Sequence, residues 1–145
     1  MSLSNTFEQG LLDLIFLNTT FSGLGDATGL VGSGAAGSLY LSLHTADPGE
    51  AGDQTTSEIA YTSYARVAVA RTSGGWTRTG SSVSPTSTVS FPAGTGGSGT
   101  ATHLGIGTAS SGAGKLLMSG ALSPNVVTGS GITPQITTST TITFD

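Results

Sequence analysis

The chain has 145 residues, a length that predicts a single domain, and Ser, Thr and Gly together supply 68 of them. Only 8% of the residues are charged, the net charge is −4, and cysteine is absent from the sequence. This composition excludes a coiled coil, a charge-rich disordered chain, a disulfide framework and a basic nucleic-acid-binding surface. It favours short strands joined by tight turns.

The predicted domain, residues 1–145, is divided into three segments. Residues 1–20 are expected to form a helix or arm, residues 21–37 a Gly- and Ser-rich loop, and residues 38–145 a β-sandwich. No run approaches the roughly 18 apolar residues of a membrane span, so the sequence predicts no membrane partner.

A short helix is predicted near the N-terminus. Asn5 and Glu8 have the spacing of a capping box, with Asn5 as the N-cap. One apolar face at helical spacing comprises Phe7, Leu11, Leu14 and Ile15. This helix is expected either to pack on the body of the domain or to dock as an arm on a partner chain.

The loop that follows contains a glycine pattern. Gly32, Gly34 and Gly37 match the spacing G-x-G-x-x-G. A dinucleotide site needs a strand before this pattern and a helix after it, whereas a strand-like segment begins at Ser38. The pattern therefore predicts a flexible loop and no cofactor.

Eight strands are predicted after residue 37 from alternating or continuous apolar residues, mostly bounded by Gly, Ser, Asn or Pro. They are Ser38–His44, Tyr64–Arg71, Gly75–Thr79, Thr86–Phe91, Ala101–Gly107, Lys115–Leu122, Gly131–Ile136 and Thr140–Phe144. Eight short strands indicate an all-β fold, a jelly-roll-like antiparallel β-sandwich with one short N-terminal helix.

Acidic residues are concentrated in one segment. Four of the eight lie between Asp47 and Glu58, beside Pro48 and several glycines. Clustered carboxylates can hold Ca²⁺, but the EF-hand spacing is missing. A solvated turn after a strand is the other interpretation, and no metal site is predicted.

The two histidines are the main candidates for catalysis. His44 and His103 are both expected on a polar face or at a loop edge, and the G-x-S-x-G motif of many hydrolases is missing. The sequence therefore predicts that this protein is not an enzyme. Aromatic residues at Trp76 and three tyrosines are expected in the core and rim, with a sugar-stacking surface as the alternative.

Several segments resemble a family of small tailed-bacteriophage virion proteins. They are LYLSLHTADPGEAG at Leu39–Gly52, SYARVAVAR at Ser63–Arg71, HLGIG at His103–Gly107 and LLMSGAL at Leu116–Leu122, with the ending TITFD. Members of this family are often described as structural or tail-fibre-like proteins, and some similar small jelly-roll proteins are capsid cement, or decoration, proteins.

The resemblance implies a cement protein on the outer capsid surface of the virion, bridging subunits of the major capsid protein. A homo-oligomer, dimer or trimer, is expected on the shell, with no nucleic-acid partner. A tail-fibre or receptor-binding module is the alternative function. The residues predicted to contact partners are Phe7, Leu11, Ile15, Trp76, Ile142 and Phe144.

Overall fold

A computed structural model describes residues 2–144, which form one helix, α1 (Asn5–Leu17), and nine strands. The strands are β1 (Ser38–His44), β2 (Val67–Ala70), β3 (Trp76–Thr79), β4 (Ser82–Pro85), β5 (Val89–Ser90), β6 (Ser98–Gly107), β7 (Leu116–Gly129), β8 (Gln135–Ile136) and β9 (Ile142–Thr143). The predicted class, an antiparallel all-β sandwich with one short N-terminal helix, is confirmed. No helix within residues 2–144 has the length and apolar character to cross a bilayer.

The strands form three sheets. The largest has the order β2-β1-β6-β7, the second has the order β3-β4-β9, and the third pairs β5 with β8. The pairs β1–β6, β6–β7, β3–β4, β4–β9 and β5–β8 are antiparallel.

Two compact units share the chain. The helix unit comprises the described parts of Met1–Ser38, Val69–Thr88 and Thr137–Asp145, and it contains α1 and the three-stranded sheet. The sheet unit comprises Leu39–Ala68 and Val89–Ile136, and the chain passes from the sheet unit to the helix unit within β2. The single domain predicted from chain length stays a prediction.

One strand was missed, and of the eight predicted strands only Ser38–His44 has the predicted bounds. β4 was not predicted, because four residues of sequence SVSP carry too little periodicity to identify a strand. The largest difference in extent is at β7, which was predicted to end at Leu122 and continues through Ser123–Asn125 to Gly129. Pro124 is compatible with this strand because β7 lies at the edge of its sheet, where the missing N–H breaks no ladder.

The helix begins one residue earlier than predicted. Ser4, rather than Asn5, is the N-cap, and its carbonyl and side-chain oxygens both accept from the Phe7 amide. At the other end Asn18 adopts a left-handed conformation with φ 56°, and the Thr19 amide donates to the Asp13 carbonyl.

The buried face of α1 also differs from the prediction. Leu12 and Phe16 are fully buried, whereas Phe7, Leu11 and Ile15 are half-exposed. Apolar residues surround most of this helix, so periodicity alone did not select one face. The choice is made by packing, since the Phe16 ring meets the Trp76 ring edge-to-face at 4.8 Å.

The core of the sheet unit contains apolar residues from the neighbouring strands β1 and β6. Leu41, Leu43 and Ile106 are buried, and Leu41 lies opposite Ile106 in the β1–β6 register. β1 is buried on both faces from Leu41 to His44, so it is a central strand in environment as well as in sheet order.

Candidate interaction surface

A buried ion pair fixes the framework of the sheet unit. Arg66 donates from Nε to Glu58 Oε1 at 2.6 Å and from Nη2 to Glu58 Oε2 at 2.7 Å. The Tyr64 hydroxyl donates to the same carboxylate at 2.9 Å and accepts from the Leu43 amide at 3.1 Å. The Arg66 side chain is only 2% exposed, and this two-point geometry satisfies its charge without water.

The same guanidinium also holds a distant loop. Arg66 donates to the carbonyl of Ala109 at 3.0 Å and to that of Gly112 at 2.8 Å. Its hydrogen bond to Glu58 raises the pKa of Arg66, and burial raises the pKa of Tyr64, so Arg66 stays charged and Tyr64 stays protonated at neutral pH. The loop at 109–112 is therefore anchored to a permanent buried charge, a role that the sequence analysis did not assign to Arg66.

His44 is not on a polar face, contrary to the prediction. It is fully buried, its Nδ1 lies 2.8 Å from the Thr56 carbonyl, and its Nε2 lies 2.8 Å from Ser42 Oγ. A carbonyl can only accept, so Nδ1 carries the proton and Nε2 accepts from the Ser42 hydroxyl. Burial lowers the pKa of His44, which keeps this ring neutral. The Ser42–His44 pair resembles part of a catalytic arrangement, but both residues are 0% exposed.

The acidic segment does not converge on one point. Asp47 accepts from the Gly49 amide, Asp53 accepts from the amide and hydroxyl of Thr55, and Glu58 binds Arg66. Hydrogen bonds from Thr55 lower the pKa of Asp53. Within residues 2–144 no group of three or more His, Asp or Glu is arranged to hold a metal ion. Asp47 and Asp53 each accept hydrogen bonds from a residue two positions further along the chain, which is the behaviour of acidic residues in a turn.

In the helix unit, Arg71 completes the end of α1. Its Nε donates to the Ile15 carbonyl at 2.6 Å and its Nη2 to the Leu14 carbonyl at 2.7 Å. Those carbonyls lie in the last helical turn, where they have no partner inside the helix. Arg71 also donates to the Ala36 carbonyl, so one side chain joins the helix end to the loop predicted to be flexible.

The residues predicted to contact partners lie in the helix unit and do not form one exposed patch. Trp76 is 1% exposed, so its prediction as a contact residue is corrected, and its ring belongs to the core. The remaining five, Phe7, Leu11, Ile15, Ile142 and Phe144, are half-exposed. Partner contact through those five stays a prediction.

The largest unpartnered feature of the sheet unit is the outer edge of β7. This strand has 14 residues, pairs with β6 on one side, and has no described strand on the other. Most of its side chains are exposed, including Leu117 at 43% and Val127 at 58%. The free N–H and C=O groups of such an edge are ready to pair with another chain.

A groove of about 630 Å³ lies beside the first half of β7. Its walls are Asp47, Gly49, Glu50, Gly52, His103 and the β7 residues Leu116–Ala121. An open strand edge next to a groove is the arrangement in which an added strand finds both backbone partners and room for side chains. We therefore take β7 and this groove as the candidate interaction surface.

Residues 2–143 match the protein family described as Podophage GP4 fiber I protein gp80. The chain belongs to this family. The predicted resemblance to phage virion structural proteins is confirmed at that level. No curated protein matches the chain.

Membership of the podophage fibre I family makes the chain a fibre-related structural protein of a phage virion. An all-β fold with a long open strand edge suits a protein whose role is contact with other chains. The strand predicted in this region ended at Leu122, and no residue of β7 was among the predicted contact residues.

Proposed function

We propose that this chain is a structural subunit of a podophage fibre that acts by adhesion to other virion proteins. The open edge of β7, with its adjoining groove, is the observation that carries the proposal. Backbone hydrogen bonds along a strand edge supply affinity, and the groove selects the side chains that can enter.

The buried network of the sheet unit supports this function. Arg66, paired with Glu58, fixes the loop at 109–112, which precedes β7 in the chain, through charged hydrogen bonds. A surface held in one conformation loses little conformational entropy on binding, so more of the contact energy appears as affinity. In this proposal the fibre subunit is a rigid module that binds other virion proteins and has no catalytic step.

A cement protein on the outer capsid surface is the second candidate. Its support is that a fibre shaft is usually built from a repeated element, and residues 2–144 contain none. Their one helix has only 13 residues. A protein that binds only the assembled shell stabilises that shell by linkage, and many identical copies multiply a weak contact. The major capsid protein would then be the partner.

The receptor-binding form of the fibre proposal loses its main support. An exposed aromatic surface around Trp76 would have favoured sugar stacking, and Trp76 is buried beneath α1 against Phe16. Adhesion through β7 does not depend on that residue.

Cryo-electron microscopy of particles, with quantitative mass spectrometry of the chain, tests the proposal. A fibre subunit is expected as density in appendages and at low copy number. Density distributed over the capsid lattice, at hundreds of copies, would overturn the fibre proposal in favour of the cement protein. Heating particles that lack the chain gives a second readout, because a missing cement protein lowers the temperature at which DNA escapes and a missing fibre subunit does not.

A further inference from the structure

The first half of β7 lacks two of the devices that usually protect a strand edge, charge and proline. No Asp, Glu, Lys or Arg occurs anywhere in Leu116–Gly129. Proteins commonly block free edges with charges, prolines or bulges. Here the proline, Pro124, falls in an irregular section after Ala121, where β7 residues 122–125 lie opposite a single β6 residue, Thr102. The pairing with β6 also shifts register between Ile106 and Gly107, so Leu117 is an extra residue between Leu116 and Met118. From Leu117 to Ala121 the edge is uncharged and contains no proline, so another strand can approach it.

Gly120 lies in the middle of this edge, and no contact within the chain requires a glycine there. A Cβ added to it meets nothing within 4 Å, and its backbone does not adopt a positive φ. Glycine weakens a strand by roughly 0.5–1 kcal/mol relative to alanine. Glycine in a strand interior often marks the close approach of another backbone, and for Gly120 no described segment of this chain supplies one.

The sequence around Ser119 is complementary to itself when reversed. Antiparallel pairing of two copies with Ser119 opposite Ser119 places Leu117 opposite Ala121 and Met118 opposite Gly120. At both of these positions a large side chain then lies beside a small one of the other copy, one on each face of the sheet, whereas Leu116 and Leu122 would lie opposite each other as two large side chains. Cross-strand pairs of this kind are the unit of sheet stabilisation.

We propose that two copies of this chain join through their β7 edges, pairing Leu117–Ala121 antiparallel about a two-fold axis at Ser119. A contact across a two-fold axis must be self-complementary, and the uncharged, large-to-small pattern of this edge meets that condition. The two four-stranded sheets become one sheet of eight strands. The proposal holds equally for a fibre subunit and for a cement protein, so it stands or falls separately from the proposed function.

Sedimentation velocity of the full chain over a concentration series tests the pairing, with Ser119→Lys as the disrupting variant. Ser119 is exposed, so a lysine there leaves the monomer fold intact. Two lysines would meet at the proposed axis, and like charges directly opposite each other destabilise a strand pair. The wild type is expected at twice 14.3 kDa, and Ser119→Lys is expected to raise the dimer Kd by about tenfold or more.

The matched control is Ala68→Lys, which adds the same charge at an exposed position of β2, the opposite edge of the same sheet. This variant is expected to dimerise as the wild type does. Mixing Ser119→Lys with Ser119→Glu is expected to restore a dimer, because the axis then joins opposite charges. Circular dichroism and thermal unfolding check that each variant is folded.

Three results would overturn the proposal. They are a wild type that stays monomeric or forms a trimer, a Ser119→Lys variant that dimerises as tightly as the wild type, and an Ala68→Lys variant that dissociates to the same degree as Ser119→Lys.

Discussion

Gly105 lies directly opposite Ser42 in the β1–β6 register, and a Cβ atom added to Gly105 would stand 2.6 Å from Ser42 Oγ. The same added atom would collide with the ring of His44. Glycine at this position therefore leaves the space in which the buried Ser42–His44 hydrogen bond forms. Gly105 is therefore required because it has no side chain, and its backbone does not adopt a positive φ.

Gly105→Ala is expected to lower the free energy of unfolding by about 1–3 kcal/mol, because two fully buried side chains must move to admit one methyl group. Denaturant unfolding followed by circular dichroism measures the change. Gly34→Ala is the control, since a Cβ there meets nothing within 4 Å and the expected change is within about 0.5 kcal/mol. Equal changes in the two variants would contradict the steric explanation.

Removal of Arg66 is expected to be strongly destabilising. Arg66→Met leaves the Glu58 carboxylate partly buried without its cation and frees the carbonyls of Ala109 and Gly112. Breaking a buried pair from one side costs about 3–5 kcal/mol, measured as the free energy of unfolding. In Arg78→Met the broken pair with Asp13 is partly exposed, so a loss of about 0–1 kcal/mol is expected. Similar losses in both variants would contradict a special role for Arg66.

Stability is expected to fall as the pH is lowered below about 6.5, the ordinary pKa of histidine. Burial lowers the pKa of His44 in the folded protein, although the Thr56 carbonyl and Glu58 oppose the shift and Arg66 and His103 add to it. Between the two pKa values the unfolded chain binds more protons than the folded chain, so stability rises with pH in that window.

Denaturant unfolding at pH 7.5 and pH 5.5 checks this dependence. His44→Gln is expected to reduce the difference between the two conditions. The lowered pKa of Asp53 acts only near and below its ordinary value of 3.8, outside this window. A wild type whose stability does not change between the two conditions would refute the assignment of a buried neutral His44.

Trp76 gives a direct test of the helix-unit core, since it is the single tryptophan of the chain. Its ring is 1% exposed and packs edge-to-face on Phe16. Fluorescence emission is expected to be blue-shifted and poorly quenched by iodide in the folded protein, and to become quenchable on unfolding. Efficient quenching of the folded protein would show that Trp76 is exposed and available for contact with a partner.

Much of the fold could be predicted from the sequence. The alternation over Ser38–His44 predicted β1 with the bounds that it has in the structure, and Val89 and Phe91 are buried as their spacing indicated. Local patterns succeed at these positions because an apolar residue at every second position favours an extended strand, whatever its partners are. The predicted resemblance to phage virion structural proteins is confirmed at the level of the family.

The candidate surface depended on sheet order, which local patterns do not contain. An edge strand and a central strand can share one composition, and β7 becomes an edge only because β6 pairs with both β1 and β7 while β7 has no second partner among the described residues. The continuation of β7 beyond Leu122 was missed for the same reason, since Pro124 is incompatible only with a central strand.

By itself, the sequence determined the all-β class, the short helix and the family, because these follow from composition, short-range periodicity and short sequence segments that need no knowledge of distant contacts. Tertiary structure alone decided which face of α1 is buried, that His44 lies in the core, that Arg66 joins Glu58 to the loop at 109–112, and that β7 is open. Each of these depends on residues far apart in the chain, and their energies are set by burial and by partner geometry that appear only once the strands are paired.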